Sequence, residues 1–206
     1  MRLEFFYDTV SPYSYLAFEA LCRYRDRWDL DLVLRPAFLG GVMKATGNAP
    51  PASLPARGVY MLRDLARLSR YFKVPMSFPE DFPTNTIAAM RLLTIVAADH
   101  PDKHEATARA LWRRYWGEGK DLTREVGLGV ACDEASVPRT ALQRLDDEDV
   151  KAALRRATDE AVARGAFGFP AMFVTDQDGE EQMFFGSDRL SLLAHELSLP
   201  WLGPAP

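Results

Sequence analysis

The amino-acid sequence predicts an α/β fold in which the two ends of the chain build one sheet and the middle is wholly helical. Three observations predict it: a β-α-β pattern at the start, a β-β-α pattern at the end, and no strand signal from about residue 57 to residue 163. We therefore predict one domain made of residues 1–57 and 164–206. Residues 58–163 are expected to form an all-helical domain inserted into it.

The opening pattern is carried by two short strands and a helix. Aromatic and apolar side chains dominate residues 2–8, which predicts a buried strand, and residues 31–35 alternate apolar and polar side chains, which predicts a second. Between them, Ser11 suits a helix N-cap and Pro12 suits the first helical position. A helix is therefore expected from Ser11 to about Trp28.

The middle of the chain has helical periodicity. After a loop rich in glycine and proline at residues 40–55, residues 58–72 carry a single apolar face. Residues 86–98 are apolar on nearly every side and too short to cross a bilayer, so they predict the centre of a helical bundle. Further helices are expected around residues 108–115 and 150–165.

The closing pattern predicts a hairpin followed by a helix. Residues 171–175 and 181–185 have strand composition, and residues 176–179 have the composition of a turn. Ser187, Asp188 and Arg189 then begin the last helix.

Composition excludes several classes of protein. The 206 residues are 48% hydrophobic and 26% charged, and the net charge of −4 comes without a long basic stretch, so nucleic acid is not an expected partner. Because the start of the chain shows no charged-then-apolar leader and no window approaches ~18 apolar residues, we expect a cytoplasmic protein without membrane contact.

No metal site is expected. Cys22 and Cys132 belong to no Cys-x-x-Cys pair and are predicted to be buried apolar groups, while His100 and His104 lack a third ligand and are expected to be solvated. The arginines among residues 109–114 also predict a solvated face. The aromatic residues of that stretch indicate either core packing or the border of an aromatic pocket; they are Trp112, Tyr115 and Trp116.

Five motifs follow one another in order along nearly the whole chain. They are Phe6-Tyr7-Asp8, Ser11-Pro12-Tyr13-Ser14, Gly47-Asn48-x-Pro50-Pro51, Gly165-Ala166-Phe167-Gly168-Phe169-Pro170 and Phe185-Gly186-Ser187-Asp188-Arg189. Together they resemble the kappa-class glutathione transferases and the bacterial 2-hydroxychromene-2-carboxylate isomerases. The resemblance implies a thioredoxin-like fold with a helical insertion, glutathione as cofactor, and a homodimer.

Ser11 is the catalytic candidate. Redox relatives begin the first helix with Cys-Pro-x-Cys, whereas Ser11 and Ser14 replace both cysteines here, so disulfide exchange is not expected. Lowering the pKa of a thiol from ~8.5 by about two units requires roughly 2.7 kcal/mol. A charged hydrogen bond of ~1.5–3 kcal/mol donated by Ser11, helped by the positive end of the helix, nearly supplies it. The simpler interpretation is a capping serine, which would use only the oxygen and leave the proton free.

The resemblance also implicates residues that would bind glutathione. It implies a cis bond between Phe169 and Pro170, with the backbone of Phe169 pairing with the cysteinyl part; the alternative is an ordinary turn into a strand. Ser187 and Asp188 would meet the γ-glutamyl end, and the alternative is a plain helix cap. Tyr13, in the same motif as Ser11, is expected to line the same site.

Two further contacts come from the region after the second strand. Asn48 resembles the family's polar contact to the bound peptide, although a turn residue would have the same identity. Arg57 stands where the family commonly has lysine and could hold the glycyl carboxylate. Arg189 is expected to orient Asp188.

These residues leave three functions open. The first is a kappa-type transferase that adds glutathione to small hydrophobic or aromatic electrophiles or reduces hydroperoxides. The second is a glutathione-dependent isomerase of hydroxychromene carboxylates, and the third is a binding module without chemistry. The Gly47-Asn48 stretch and the Gly-Ser-Asp-Arg order at residues 186–189 favour the transferase.

Overall fold

A computed structural model describes residues 1–122, 126–175 and 179–206. Its strands are β1 (Arg2–Tyr7), β2 (Asp31–Pro36), β3 (Ala171–Thr175) and β4 (Glu181–Phe185), which form one sheet in the order β2-β1-β3-β4. β1 pairs parallel with β2 and antiparallel with β3, and β3 pairs antiparallel with β4. Each end of the chain therefore contributes two strands, as the sequence predicts. All described strands lie outside residues 58–163, while the exact domain boundaries stay a prediction.

The described part of the chain also contains eight α-helices. They are α1 (Pro12–Tyr24), α2 (Leu39–Thr46), α3 (Pro55–Phe72), α4 (Ile87–Asp99), α5 (His104–Trp112), α6 (Gly127–Glu134), α7 (Glu148–Ala163) and α8 (Leu190–Glu196). The first helix ends at Tyr24, earlier than the predicted Trp28. The hairpin of β3 and β4 is confirmed, but residues 176–178 of its predicted turn lie outside the described residues.

Helix α2 corrects the predicted loop at residues 40–55. Gly40 and Gly41 predict a break, yet both lie inside the helix because its packing requires small residues. A side chain at Gly41 would approach the Thr158 methyl group of α7 to 3.0 Å, and Val42 is fully buried between the same elements. Tertiary packing thus overrides the low helix propensity of glycine here.

The core occupies both faces of the sheet. Phe5 and Tyr7 of β1 belong to the larger cluster with α1 and with the central helices α4, α5 and α6, whereas Phe6 joins a smaller cluster on the opposite face. Trp112 and Trp116 are completely buried, so the aromatic stretch is core and not a solvent-facing pocket border. The apolar helix α4 is also central, since six of its residues are buried.

The structure corrects the expectation that His104 and Arg109 are solvated, whereas Arg113 is exposed as expected and His100 is half-buried. His104 is buried, and its Nε2 lies 2.8 Å from the hydroxyl of Tyr7. Burial lowers the pKa of His104 to about 4, so the ring is neutral. Arg109 is only partly exposed, because it pairs with Glu19 and Glu105.

The remaining negative expectations concern metals, cysteines and membranes. Across the described ranges no group of three or more His, Cys, Asp or Glu side chains could hold a metal ion. Cys132 is buried, whereas Cys22 is half-buried, and burial raises the pKa of Cys22 to about 12. None of the described helices is long and apolar enough to span a bilayer.

Candidate functional site

A cleft of about 950 Å³ opens at the carboxyl end of β1. It is bounded by the start of α1, by α2 and α3, by the segment before α4, and by the loops around β3 and β4. Seven of the eight residues that the resemblance implicates line this cleft: Ser11, Tyr13, Asn48, Arg57, Phe169, Ser187 and Asp188. The exception is Pro170, which is buried outside the cleft lining.

Ser11 is the N-cap of α1 and is almost completely buried at the base of the cleft. Its Oγ accepts a hydrogen bond from the amide of Ser14 at 3.1 Å, which confirms the capping interaction. The hydroxyl proton is not free, however, because Oγ donates to the carbonyl oxygen of Phe169 at 3.2 Å. Ser11 therefore joins the start of α1 to the segment that precedes β3.

The peptide bond between Phe169 and Pro170 is cis, as the resemblance implies. The Pro170 carbonyl accepts a hydrogen bond from the amide of Gly186 at 3.0 Å, so this segment also fixes the start of the next turn. Gly186 has φ of +97°, a backbone conformation that glycine adopts without strain. The turn after it is thereby directed into the cleft.

Ser187 and Asp188 lie on that turn. The final α-helix does not begin with them, because residues Ser187–Arg189 form a single 3₁₀ turn before α8. Ser187 is buried, whereas the Asp188 carboxylate is largely exposed and lies 3.1 Å from Arg189, as predicted. A carboxylate at the edge of the cleft can accept hydrogen bonds from an ammonium group.

Asn48 and Arg57 belong to the part of the lining that the loop after α2 and the first turn of α3 contribute. The Asn48 side-chain amide donates to the Phe167 carbonyl at 2.7 Å, so it connects the loop after α2 with the loop before β3. Arg57, in the first turn of α3, is exposed and makes no ion pair or hydrogen bond with any described residue. Its guanidinium is available to a carboxylate of a ligand.

Tyr13 contributes a neutral phenol to the cleft. Burial, followed by the nearby charges of Asp64, Tyr60 and Asp188, raises the pKa of Tyr13 to about 12. The hydroxyl group is therefore protonated at neutral pH and can donate a hydrogen bond. The rest of the lining is strongly apolar, and its large side chains are Met43, Met61, Leu68, Phe82, Phe167 and Phe185.

Asp8 and Thr86 are two buried polar residues of the lining that the sequence analysis did not assign to the site. Asp8 is fully buried, and its carboxylate accepts hydrogen bonds from the amides of Val10 and Leu39 and from the hydroxyl of Thr86. Burial raises the pKa of Asp8, although these hydrogen bonds oppose the shift. A carboxylate directly after an apolar strand was a usable signal for Asp8, whereas Thr86 carries none because it lies 78 positions away in sequence.

The chain matches known proteins along nearly its whole length. The DsbA-like thioredoxin domain family matches residues 2–198. Glutathione S-transferase kappa 1 of Rattus norvegicus is 44% identical over 99% of this chain and 94% of its own length. The 2-hydroxychromene-2-carboxylate isomerase of Sphingobium xenophagum is 31% identical over 93% of this chain and 95% of its own.

The solved structures agree with the fold. A 2-hydroxychromene-2-carboxylate isomerase structure superposes with a TM-score of 0.82 at 23% identity, covering 96% of this chain and 95% of that one. These two relatives, a transferase and an isomerase, are both enzymes. Each matches the sheet-forming ends of the chain as well as its helical middle. The chain therefore belongs to the DsbA-like thioredoxin family, together with the kappa-class glutathione transferases and the hydroxychromene carboxylate isomerases that it resembles.

Proposed function

We propose that this protein is a kappa-class-like glutathione transferase that activates the glutathione thiol as a thiolate in this cleft. The observation that carries the proposal is the pairing of the Ser11 hydroxyl with the Phe169 carbonyl at the N-terminus of α1. A buried donor, a buried acceptor and a helix N-terminus meet at this point. The 44% identity to a named kappa transferase supports the same activity.

Glutathione can replace this internal hydrogen bond with two of its own. Its cysteinyl amide donates to the Phe169 carbonyl, which releases the Ser11 hydroxyl to donate to the sulfur. Because both protein groups are already buried, little further desolvation is required of them. The donated hydrogen bond and the helix N-terminus then favour the thiolate over the thiol.

The chemical step is a nucleophilic displacement or addition. The thiol releases its proton to water, and a sulfur lone pair forms the C–S bond. With a chloroarene as substrate, chloride departs with the pair of electrons from the broken C–Cl bond. The apolar side chains Met43, Met61 and Phe82 supply the surface against which a small hydrophobic or aromatic electrophile would pack. A hydroperoxide would be reduced instead by two glutathione molecules, which become the disulfide.

The ends of glutathione are proposed to bind on opposite sides of Ser11. Asp188 and the turn at Ser187 take the γ-glutamyl ammonium and carboxylate, because the cleft edge there offers a carboxylate and turn amides. Asn48 and Arg57 take the glycyl carboxylate, because Arg57 is the one cation among the described residues of the lining and makes no ion pair with any of them. Tyr13 adds a neutral hydrogen-bond donor between them.

We further propose a homodimer in the cytoplasm. Helix α3 leaves Val59, Leu62 and Tyr71 about half exposed, at 53%, 47% and 60%, which is apolar surface that a second copy could cover. The two free cysteines suit a reducing compartment, where glutathione is present as the thiol. Sedimentation equilibrium is expected to give twice the mass of 23.2 kDa, and a concentration-independent monomer would contradict the dimer.

The test of the proposed function is a titration of bound glutathione by difference ultraviolet absorbance. In the native protein the bound thiol should ionise below its solution pKa, and Ser11→Ala should raise that value by about 1–2 units because a charged hydrogen bond is lost. Ser14→Ala is the matched control, since the Ser14 hydroxyl is buried without a partner among the described residues. A native thiol that titrates as in free solution would favour the non-catalytic binding module.

The isomerase is the second candidate, because the 2-hydroxychromene-2-carboxylate isomerase of Sphingobium xenophagum is 31% identical over 93% of this chain. Both activities need the same thiolate, so stoichiometry separates them. Net consumption of glutathione with chlorodinitrobenzene identifies the transferase. Turnover of a hydroxychromene carboxylate with no net loss of glutathione identifies the isomerase.

A further inference from the structure

The Asp8 carboxylate connects three separate segments of the cleft. Its Oδ1 accepts from the Val10 amide at 3.0 Å and from the Thr86 hydroxyl at 2.7 Å, and its Oδ2 accepts from the Leu39 amide at 2.8 Å. The side chain is completely buried, so these donors take the place of water around it. No other described side chain of the cleft has so many partners from different elements.

Each of the three donors belongs to a segment that carries cleft residues. Val10 directly precedes Ser11, and Leu39 begins α2, whose other end leads to Asn48. Thr86 follows the cleft-lining residues 82–85 at the start of α4. The position of Ser11 relative to both neighbouring walls is therefore fixed through one carboxylate.

The Thr86 hydroxyl does not cap its own helix. Thr86 is the N-cap of α4, where a threonine oxygen normally accepts from its own helix, yet it makes no such bond. Asn85 accepts from the Ile87 amide at 3.0 Å instead, and Thr86 donates to Asp8. The start of α4 thus supplies the Thr86 hydroxyl as a hydrogen-bond donor to Asp8, in the turn before Ser11.

Thr9, the residue after Asp8, also makes hydrogen bonds to residues of the helical region. The Thr9 carbonyl accepts from the indole Nε1 of Trp116 at 3.1 Å, and the Thr9 amide donates to the sulfur of Met90 at 3.4 Å. Both residues that contact the central helices, Asp8 and Thr9, lie within three positions of Ser11. A small movement of the helices would therefore be transmitted to the capping serine.

We propose that Asp8 is a positioning residue for thiol activation, and that Thr86 is the group through which the central helices set the placement of Ser11. The inference rests on the proposed function. A donor displaced from its acceptor by about 1 Å loses roughly a hundredfold in rate at the upper end. Asp8 and Thr86 therefore act on the thiolate through Ser11, without touching glutathione themselves.

The decisive variant is Thr86→Val, which keeps the shape of the side chain and removes only the donor to Asp8. We expect it to raise the pKa of the bound thiol and to lower kcat by about tenfold, with a smaller change in KM, because Ser11 shifts while the outer contacts stay in place. Thr86→Ser retains the hydroxyl and should restore both values.

Thr107→Val is the matched control. Thr107 is also fully buried, but its hydroxyl donates locally, to the carbonyl of Lys103 directly before α5, at 2.8 Å. This control should lower the urea midpoint without moving the thiol pKa or kcat.

Asp8→Asn is a second variant. Its side-chain NH₂ group must face a backbone N–H, so it should raise the thiol pKa and lower kcat by more than Thr86→Val does.

The outcomes separate this inference from the proposed function. If Thr86→Val and Asp8→Asn bind glutathione with the native thiol pKa and the native kcat, Asp8 is merely structural and the inference is overturned, while thiol activation by Ser11 stands. If the native protein itself leaves the bound thiol at its solution pKa, the proposed function is wrong and this inference falls with it.

Discussion

The two sides of the cleft differ in how firmly their polar groups are held. On the side of β1 and α1, Asp8, Thr9 and Ser11 are buried, and each has hydrogen-bond partners from other elements. On the side of α3, Arg57 and Tyr60 are exposed, and the Tyr60 hydroxyl makes only a long hydrogen bond of 3.5 Å to Asp64 among the described residues.

The difference matches the demands of the proposed reaction. Stabilising a thiolate needs a donor fixed in place before the substrate arrives, because reorganisation during the reaction costs free energy. Recognising a flexible carboxylate needs only an accessible cation, which gains little from being held rigidly. The side of β1 and α1, which we call the firm side, should therefore control the ionisation of the thiol and the rate. The side of α3, which we call the open side, should control the affinity for glutathione.

The largest expected effect on the firm side is a loss of stability in acid. His104 is neutral in the folded protein with a pKa of about 4, whereas an unfolded histidine titrates near 6.5. As the pH falls from 6.5 to 4, the unfolded chain binds a proton that the native chain does not, so the free energy of unfolding falls by about 3 kcal/mol. Urea unfolding across this range measures the loss.

His104→Gln isolates that contribution, because glutamine can still bond to the Tyr7 hydroxyl but does not titrate. The variant should lose about 3 kcal/mol less than the native protein between the two pH values, with Asp8 and all other groups common to both. His100→Gln, which leaves the contact with Tyr7 intact, is the control and should keep the full acid loss. Equal pH dependence in the native protein and His104→Gln would contradict the buried neutral ring.

A smaller effect is expected on the open side. Arg57→Ala should raise the Kd for glutathione about tenfold, since a charged hydrogen bond is lost, while the pKa of the bound thiol stays at the native value. Isothermal titration calorimetry and the ultraviolet titration measure the two quantities separately. Arg63→Ala, an exposed residue of the same helix outside the cleft lining, is the matched control.

The smallest effect is expected from Arg57→Lys. Lysine keeps the charge but offers no planar pair of donors, so the Kd should rise only about twofold to threefold. A loss as large as that of Arg57→Ala would show that the geometry of the guanidinium, and not its charge, determines binding. A shifted pKa of the bound thiol in either Arg57 variant would contradict the claim that the side of α3 affects affinity but not ionisation.

The sequence predicts this fold well because the lengths of its apolar runs differ. The strands at residues 2–8 and 171–175 are short apolar runs bounded by turn residues, whereas the apolar run at residues 86–98 is too long for an ordinary strand, so length indicates their type. Helix α2 could not be predicted in the same way, since Gly40 and Gly41 disfavour a helix, and the close packing of Gly41 against Thr158 of α7 is not visible in the sequence. Helix propensity is local, whereas that packing joins residues more than a hundred positions apart.

For the site, the sequence by itself supplied the candidates Ser11, Phe169 and Asp188, because they lie in motifs readable over a few positions. Only the tertiary structure decided how their atoms are used. It showed that the Ser11 proton is donated to Phe169 and that the Thr86 hydroxyl serves Asp8 in place of its own helix. The physical reason is that a hydroxyl group can donate to any acceptor within reach, and the fold alone determines which acceptor that is.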